Sequence, residues 1–210
     1  MTLGHRWKQV LFVVLFLGMI TLGFFANRQP APPNATDPQN LLQLFRDGVP
    51  RDLQVMLPLQ KGDQLRLVGY APVGVKLAAF WIDPHGQCHA LTPLAEKQVA
   101  GSVVQVDYPP MESFSGPTEP GLHTFLLLAD PNHLPMEAEV RKLWIHIPIT
   151  PPSGYLLTLL TRDRVELLHP KGFPLPKPDV TQPFVELFKS RCQKLADRFA
   201  FVKGTVVPVE

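Results

Sequence analysis

The strongest hydrophobic pattern in this chain is an unbroken one. Residues 9–26 pass without a charge, from Val10, Leu11, Phe12 and Val13 through to Phe24 and Phe25. A helix rising ~1.5 Å per residue needs roughly 17–25 apolar residues to cross ~30 Å of hydrocarbon, and this run reaches the lower end of that range. Arg6 and Lys8 precede it, whereas Arg28 is the only basic residue that follows before Arg46. An excess of Lys and Arg holds its end of a span in the cytoplasm. The pattern therefore predicts a signal anchor in the cell membrane: residues 1–8 cytoplasmic, 9–26 a single-pass transmembrane helix in the lipid bilayer, and the bulk extracytoplasmic. The competing reading is a cleaved signal peptide. A cut after Ala26 would put Phe24 where a small residue is wanted, while a cut after Gly23 is permissible.

Beyond the run, Pro30, Pro32 and Pro33 predict an extended tether over residues 27–37, in which Asn34-Ala35-Thr36 matches a glycosylation sequon. Asp37-Pro38 is a good helix start, and Leu41, Leu42 and Phe45 follow at helical spacing until Gly48 and Pro50 stop it. Residues 38–50 are thus expected to hold a short amphipathic helix. Strand patterns then take over. Residues 64–70 alternate polar and apolar at period two, and 75–82 form a longer apolar strand. Asp83-Pro84-His85-Gly86 reads as a tight turn because Pro fixes φ and Gly supplies positive φ. Residues 88–91 return as its hairpin partner, 103–106 form another strand, and the apolar run 122–129 suits a buried central strand.

In the last third, residues 136–142 predict a short helix started by Pro135, feeding a strand over 143–149. Residues 155–160 and 165–168 flank Arg162-Asp163 as a hairpin, though Leu156, Leu159 and Leu160 also fit a helix. The prolines at 174, 176, 178 and 183 predict an irregular rod over 171–183. Phe184, Leu187, Phe188, Cys192, Leu195, Ala196 and Phe199 then mark one face of a C-terminal helix over 183–200, with a last strand at 205–209.

Composition changes this picture little. The 24 prolines exceed the usual ~5% share while apolar residues stay plentiful, which suits short strands and rigid turns. The net charge is +2, and Arg6, Lys8 and Arg28 account for more than all of it. The part after residue 29 is near neutral, so nucleic acid is not an expected partner. Cys88 and Cys192 are the two cysteines. They either pair across a long loop or remain thiols, and the place of Cys192 on the apolar helix stripe favours a buried thiol.

Candidate chemistry is sparse. His85-x-x-Cys88-His89 is the tightest set of possible metal ligands, but a closed zinc site needs a fourth ligand that no second Cys pair supplies. His123, His146 and His169 are too scattered to join it by spacing. Ser113 and Ser115 lack the glycine and the strand–turn–helix setting of a nucleophile elbow. Glu137 and Glu139 do not read as a carboxylate pair. Lys189, Arg191, Lys194, Arg198 and Lys203 suggest either a solvated helix face or a surface for anionic lipid. No catalytic residues, cofactor or firm metal site are assigned.

Gly62-Asp63-x-Leu65-x-Leu67, the strand ending Trp81-Ile82-Asp83-Pro84-x-Gly86, then Leu91-x-Pro93 and Gly121 before Leu126-Leu127-Leu128 carry a resemblance over about residues 55–135. This stretch resembles a bacterial β-rich domain of unknown function that recurs beside protein-kinase and caspase-like modules. The resemblance implies an accessory or sensing role and supplies no catalytic residues. The sequence thus predicts a mainly β (α+β) protein: one N-terminal transmembrane helix, then a β-sandwich-like extracytoplasmic domain over 38–210 closed by a C-terminal helix. Its expected role is that of a non-catalytic interaction or accessory subunit with a protein partner. The alternative is a membrane-tethered, metal-dependent hydrolase using His85, Cys88 and His89.

Overall fold

Twelve strands and three helices are laid out along a computed structural model that describes residues 41–110, 112–144, 157–169 and 178–210. The 9–26 run, the tether and its sequon lie outside the described residues, as do 145–149 of the expected strand and most of the proline rod.

The first strands are β1 (Leu42–Arg46) and β2 (Val49–Arg51), followed by one helical turn, α1 (Leu53–Met56). Here the structure corrects the helix expected over 38–50. Leu42 and Leu44 alternate into the core at strand period, and Asp47 and Gly48 both adopt positive φ, 55° and 73°. Two central residues with positive φ make the tight turn whose twist matches a hairpin, so the Asp-Gly pair folds β1 back onto β2 where a helix would have run on.

The remaining strands are β3 (Gln64–Pro72), β4 (Lys76–Ile82), β5 (Cys88–Leu91), β6 (Ala95–Ala100), β7 (Val103–Tyr108), β8 (Phe114–Ser115), β9 (Gly121–Asp130), β10 (Leu157–Thr161), β11 (Val165–Leu168) and β12 (Phe201–Val209). The helices α2 (Glu137–Leu143) and α3 (Pro178–Arg198) complete the list. The strands at 64–70, 75–82, 88–91, 103–106, 122–129 and 205–209 stand where the patterns put them, as do the Arg162-Asp163 hairpin and both later helices. The proline rod is corrected at its end: Pro178 opens α3 and Pro183 lies inside it. Proline is at home in the first turn of a helix, where its missing N–H would have no partner.

Every named strand pair is antiparallel. One sheet runs β2-β1-β3-β7-β6, with β8 also on β3, and the other runs β11-β10-β12-β9-β4-β5. The sheets face each other across a core in which Leu44, Leu65, Leu67 and Val106 of the first meet Leu77, Phe125, Leu127 and Leu159 of the second. A second core lies on the outer face of the second sheet. There Phe80, Leu126, Leu128 and Val206 pack under Val140 of α2 and Phe184, Phe188, Cys192 and Leu195 of α3. The second sheet is therefore covered on both faces, which is why residues 123–130 of β9 and all of β12 are buried without alternation. The architecture is a mainly β sandwich with helices on one side.

Candidate functional site

Three places gather side chains that could act: the β4–β5 turn, a groove at the outer edge of β4, and α3 with its basic residues.

In the turn, the Asp83 carboxylate accepts from the backbone N–H groups of His85 (2.9 Å) and Gln87 (2.8 Å), the local bonding that Asp favours in tight turns. The turn divides the expected metal cluster. Cys88 is buried on the helix side of β5 among Phe80, Ile82 and Leu126. His89, one residue on, is exposed on the opposite face, as strand geometry requires. Its ring lies 5.0 Å from that of Trp81 and its Nε2 is 3.4 Å from Asp83 Oδ2. His85 turns away to the carboxylate of Glu119. Burial, with the charge of Glu137 adding to it, pushes the Cys88 thiol up to about 12, which makes it a poor metal ligand or nucleophile. Among the described residues, no group of three or more His, Cys, Asp and Glu side chains is placed to hold a metal ion.

The turn instead belongs to a network that the spacing concealed. Trp81 Nε1–H donates to His123 Nδ1 at 3.1 Å, and His123 Nε2–H donates to the Glu119 carbonyl at 2.8 Å. Trp81 is paired with Phe125 across β4 and β9, so His123 stands at the diagonal position. The Trp81 ring stacks on both, with centroids 5.8 and 6.5 Å away.

Ser113 and the two carboxylates of α2 are engaged elsewhere. Ser113 Oγ–H donates to Gln64 Oε1 at 2.9 Å. Glu137 pairs with Arg141 at 2.6 Å, and Glu139 with Arg198.

The basic set around α3 forms no common face. Lys189 is paired with Glu186 at 3.0 Å, and Lys203 is buried on β12. Arg191 is buried too, its guanidinium 5.0 Å from the centre of the Trp144 ring and 5.3 Å from that of Phe188. Burial lowers the Arg191 guanidinium to about 10.

The groove has a different character. Strand β4 is longer than β5: the ladder between them runs from Ile82 to Ala79, and Lys76–Ala78 continue beyond it. The chain leaves β5 through Thr92 and Pro93 toward β6, so this stretch of β4 has no strand on its outer side among the described residues. What remains is a cavity of about 320 Å³ with mostly apolar walls, among them Leu77, Phe80, Leu91 and Leu94. Leu134 and Met136 stand at its rim, 55% and 58% exposed. Two large apolar side chains thus stand exposed beside an apolar recess.

No family model, curated protein or solved structure matches this chain.

Function therefore rests on the geometry alone. A smaller cavity of about 290 Å³ lies between Arg162 and Asp163 of the β10–β11 turn and the start of β12. Thr161 and Lys203 complete its polar lining.

Proposed function

We propose that this chain is a non-catalytic interaction or accessory subunit, anchored in the cell membrane by residues 9–26, that binds an extended apolar segment of a protein partner in the groove beside β4. The carrying observation is the groove itself. A segment laid along Lys76–Ala78 would continue the ladder that β5 begins, gaining main-chain hydrogen bonds from the open edge. Its alternate side chains would enter the apolar recess, under Leu134 and Met136. The Arg6 and Lys8 flank supports an N-terminus in the cytoplasm and a domain on the outer side. Tethering there would raise the effective concentration of a membrane-bound partner to the order of millimolar.

The hydrolase reading finds no support, because Cys88 lies across β5 from His89 and His85 is held by Glu119. The test is a photoreactive residue placed at Leu134 in the full-length chain, in its own membrane. A discrete protein adduct that disappears on Met136→Asp, with thermal unfolding unchanged, is expected. Absence of a protein adduct, or an adduct at Leu134 that Met136→Asp leaves intact, would refute the groove. Release of the protein from membranes by alkaline carbonate would refute the anchor.

A further inference from the structure

The Trp81–His123 pair lies outside the groove and makes no use of it. His123 is fully buried, yet both ring nitrogens have partners: Nδ1 accepts from the Trp81 indole and Nε2–H donates to the Glu119 carbonyl. Only one protonation state serves both bonds, the neutral ring with its hydrogen on Nε2. These bonds join two chain segments. The segment before β9 supplies Glu119, whose carboxylate also meets His85 of the β4–β5 turn. The same turn sets Pro84 against Gly121, where an added Cβ would come within 2.8 Å of the proline ring. Trp81, the 83–87 turn and the 116–121 segment thus close on each other around one imidazole.

We propose that His123 is an acid-sensitive latch, which holds Trp81 and the β4–β5 turn against the 116–121 segment when neutral and releases them when it takes up a proton. The proton comes from solvent and binds the Nδ1 lone pair. Nδ1 then becomes a donor facing the Trp81 donor, and that bond is lost without a substitute. The charged and titratable groups around the ring are Asp83 and His85 in the turn, His89 of β5 across the Trp81 ring, Glu119, and Tyr108 of β7 beyond Phe114 and Phe125. Burial holds His123 below the ordinary imidazole value of 6.5, against the Glu119 carbonyl and the charges of Glu119 and Asp83, which favour the cation. His85 and His89, by contrast, are exposed, beside Glu119 and Asp83, and neither touches the Trp81–His123 hydrogen bond. The device therefore acts through the buried ring, not through the exposed ones.

The experiment is fluorine NMR of the full chain labelled with 5-fluorotryptophan, in which the Trp81 signal is assigned by Trp81→Phe. Acidification below pH 6.5 is expected to move the Trp81 signal to a second position and leave the Trp144 signal in place. His123→Gln, which keeps an acceptor and a donor but cannot titrate, should abolish that shift. His85→Gln and His89→Gln should retain it. Because His123→Gln could misfold, the unmodified protein is also read by long-range nitrogen–proton NMR of its histidine rings. Hydrogen on Nε2 of His123 at pH 7.5 is expected there. A Trp81 signal that does not move down to pH 4.5, a shift that survives His123→Gln, or a cationic or Nδ1–H ring at pH 7.5 would each overturn the latch.

Discussion

Arg46 and Asp63 are joined by two parallel hydrogen bonds, Nε to Oδ1 and Nη2 to Oδ2, both 2.7 Å long. Asp63 is 3% exposed, and its Oδ2 also accepts from the Gln60 N–H at 2.8 Å. The pair ties the end of β1 to the turn that starts β3. Burial alone would raise the Asp63 carboxyl, but the Arg46 fork and the Gln60 N–H outweigh it and hold the group below the usual carboxylate range. Arg46→Ala would strand a buried carboxylate and should cost about 3–5 kcal/mol in urea unfolding at pH 7. Arg46→Lys should recover only part, since an ammonium cannot match the fork. The pH dependence has a definite sign. A carboxyl lowered in the folded state stabilises fully above about pH 4 and loses that contribution as pH falls through its folded value. In Arg46→Ala only the Gln60 N–H still opposes burial, and Asp63 takes up its proton more readily while folded. The stability gap between variant and wild type should therefore narrow on acidification, and a gap that widens would show that Arg46 does not hold the carboxylate.

Much of the sandwich was legible because its strands keep strict periods. Gln64 to Pro72 alternate as the sheet requires, and the Asp83-Pro84-His85-Gly86 turn carries its own mechanism. The edge strand β6 was not legible: Ala95, Glu96, Lys97 and Gln98 have no apolar side chain larger than a methyl, as suits an exposed edge. At and just before β1, Leu41, Leu42 and Phe45 fit a helix by spacing. The deciding signal was Asp47-Gly48, a hairpin dipeptide whose meaning depends on a partner strand. The candidate site was hidden for a related reason. His123 and Trp81 are far apart in sequence, and only the β4–β9 register sets them side by side. The groove is made by β4, β5 and the loop at Leu134, each ordinary when read alone. Arg191 reads as one of a basic set by composition, yet Trp144 and Phe188 cover it.

Leu195 is fully buried on the inner face of α3, with Phe188 and Phe199 in the outer core, while its neighbour Lys194 faces solvent. Leu195→Ala should cost about 2–5 kcal/mol, the range for opening a cavity in a packed core. Lys194→Ala should stay within about 0.5 kcal/mol. Chemical denaturation of both variants checks this. Equal losses would mean that α3 is not seated by this face.

Cys88 and Cys192 are free thiols, each 2% exposed within the same outer core. Burial pushes both up to about 12. At pH 8 each would be a thiolate on the order of 10⁻⁴ of the time, and the thiolate is the reacting form. A disulfide-exchange reagent should therefore label neither residue in the native protein and both after unfolding in guanidinium. Rapid labelling of one thiol in the native state would place its strand or helix at the surface.

Gly69 of β3 faces Leu127 of β9 across the inner core. A Cβ there would stand 2.7 Å from Leu127 Cδ2 and 3.1 Å from Leu41 Cδ2, contacts that demand movement of the facing side chains. Gly69→Ala should accordingly destabilise by about 1–3 kcal/mol, the usual cost of overfilling a packed core. Gly101 is the control, because nothing lies within 4 Å of where its Cβ would stand and its backbone is not in the left-handed region. Gly101→Ala should be neutral or gain a few tenths of a kcal/mol through the unfolded chain. The origin of the Gly69 penalty can be isolated with Leu127→Ala, which opens a cavity by itself. In the double variant the new methyl occupies space that Leu127 has vacated. The combined loss should then be smaller than the sum of the single losses by at least about 0.5 kcal/mol, the coupling expected of residues in contact. Additive losses in urea unfolding would show that the methyl meets backbone rather than Leu127, and that the sheets are kept apart by something other than this contact.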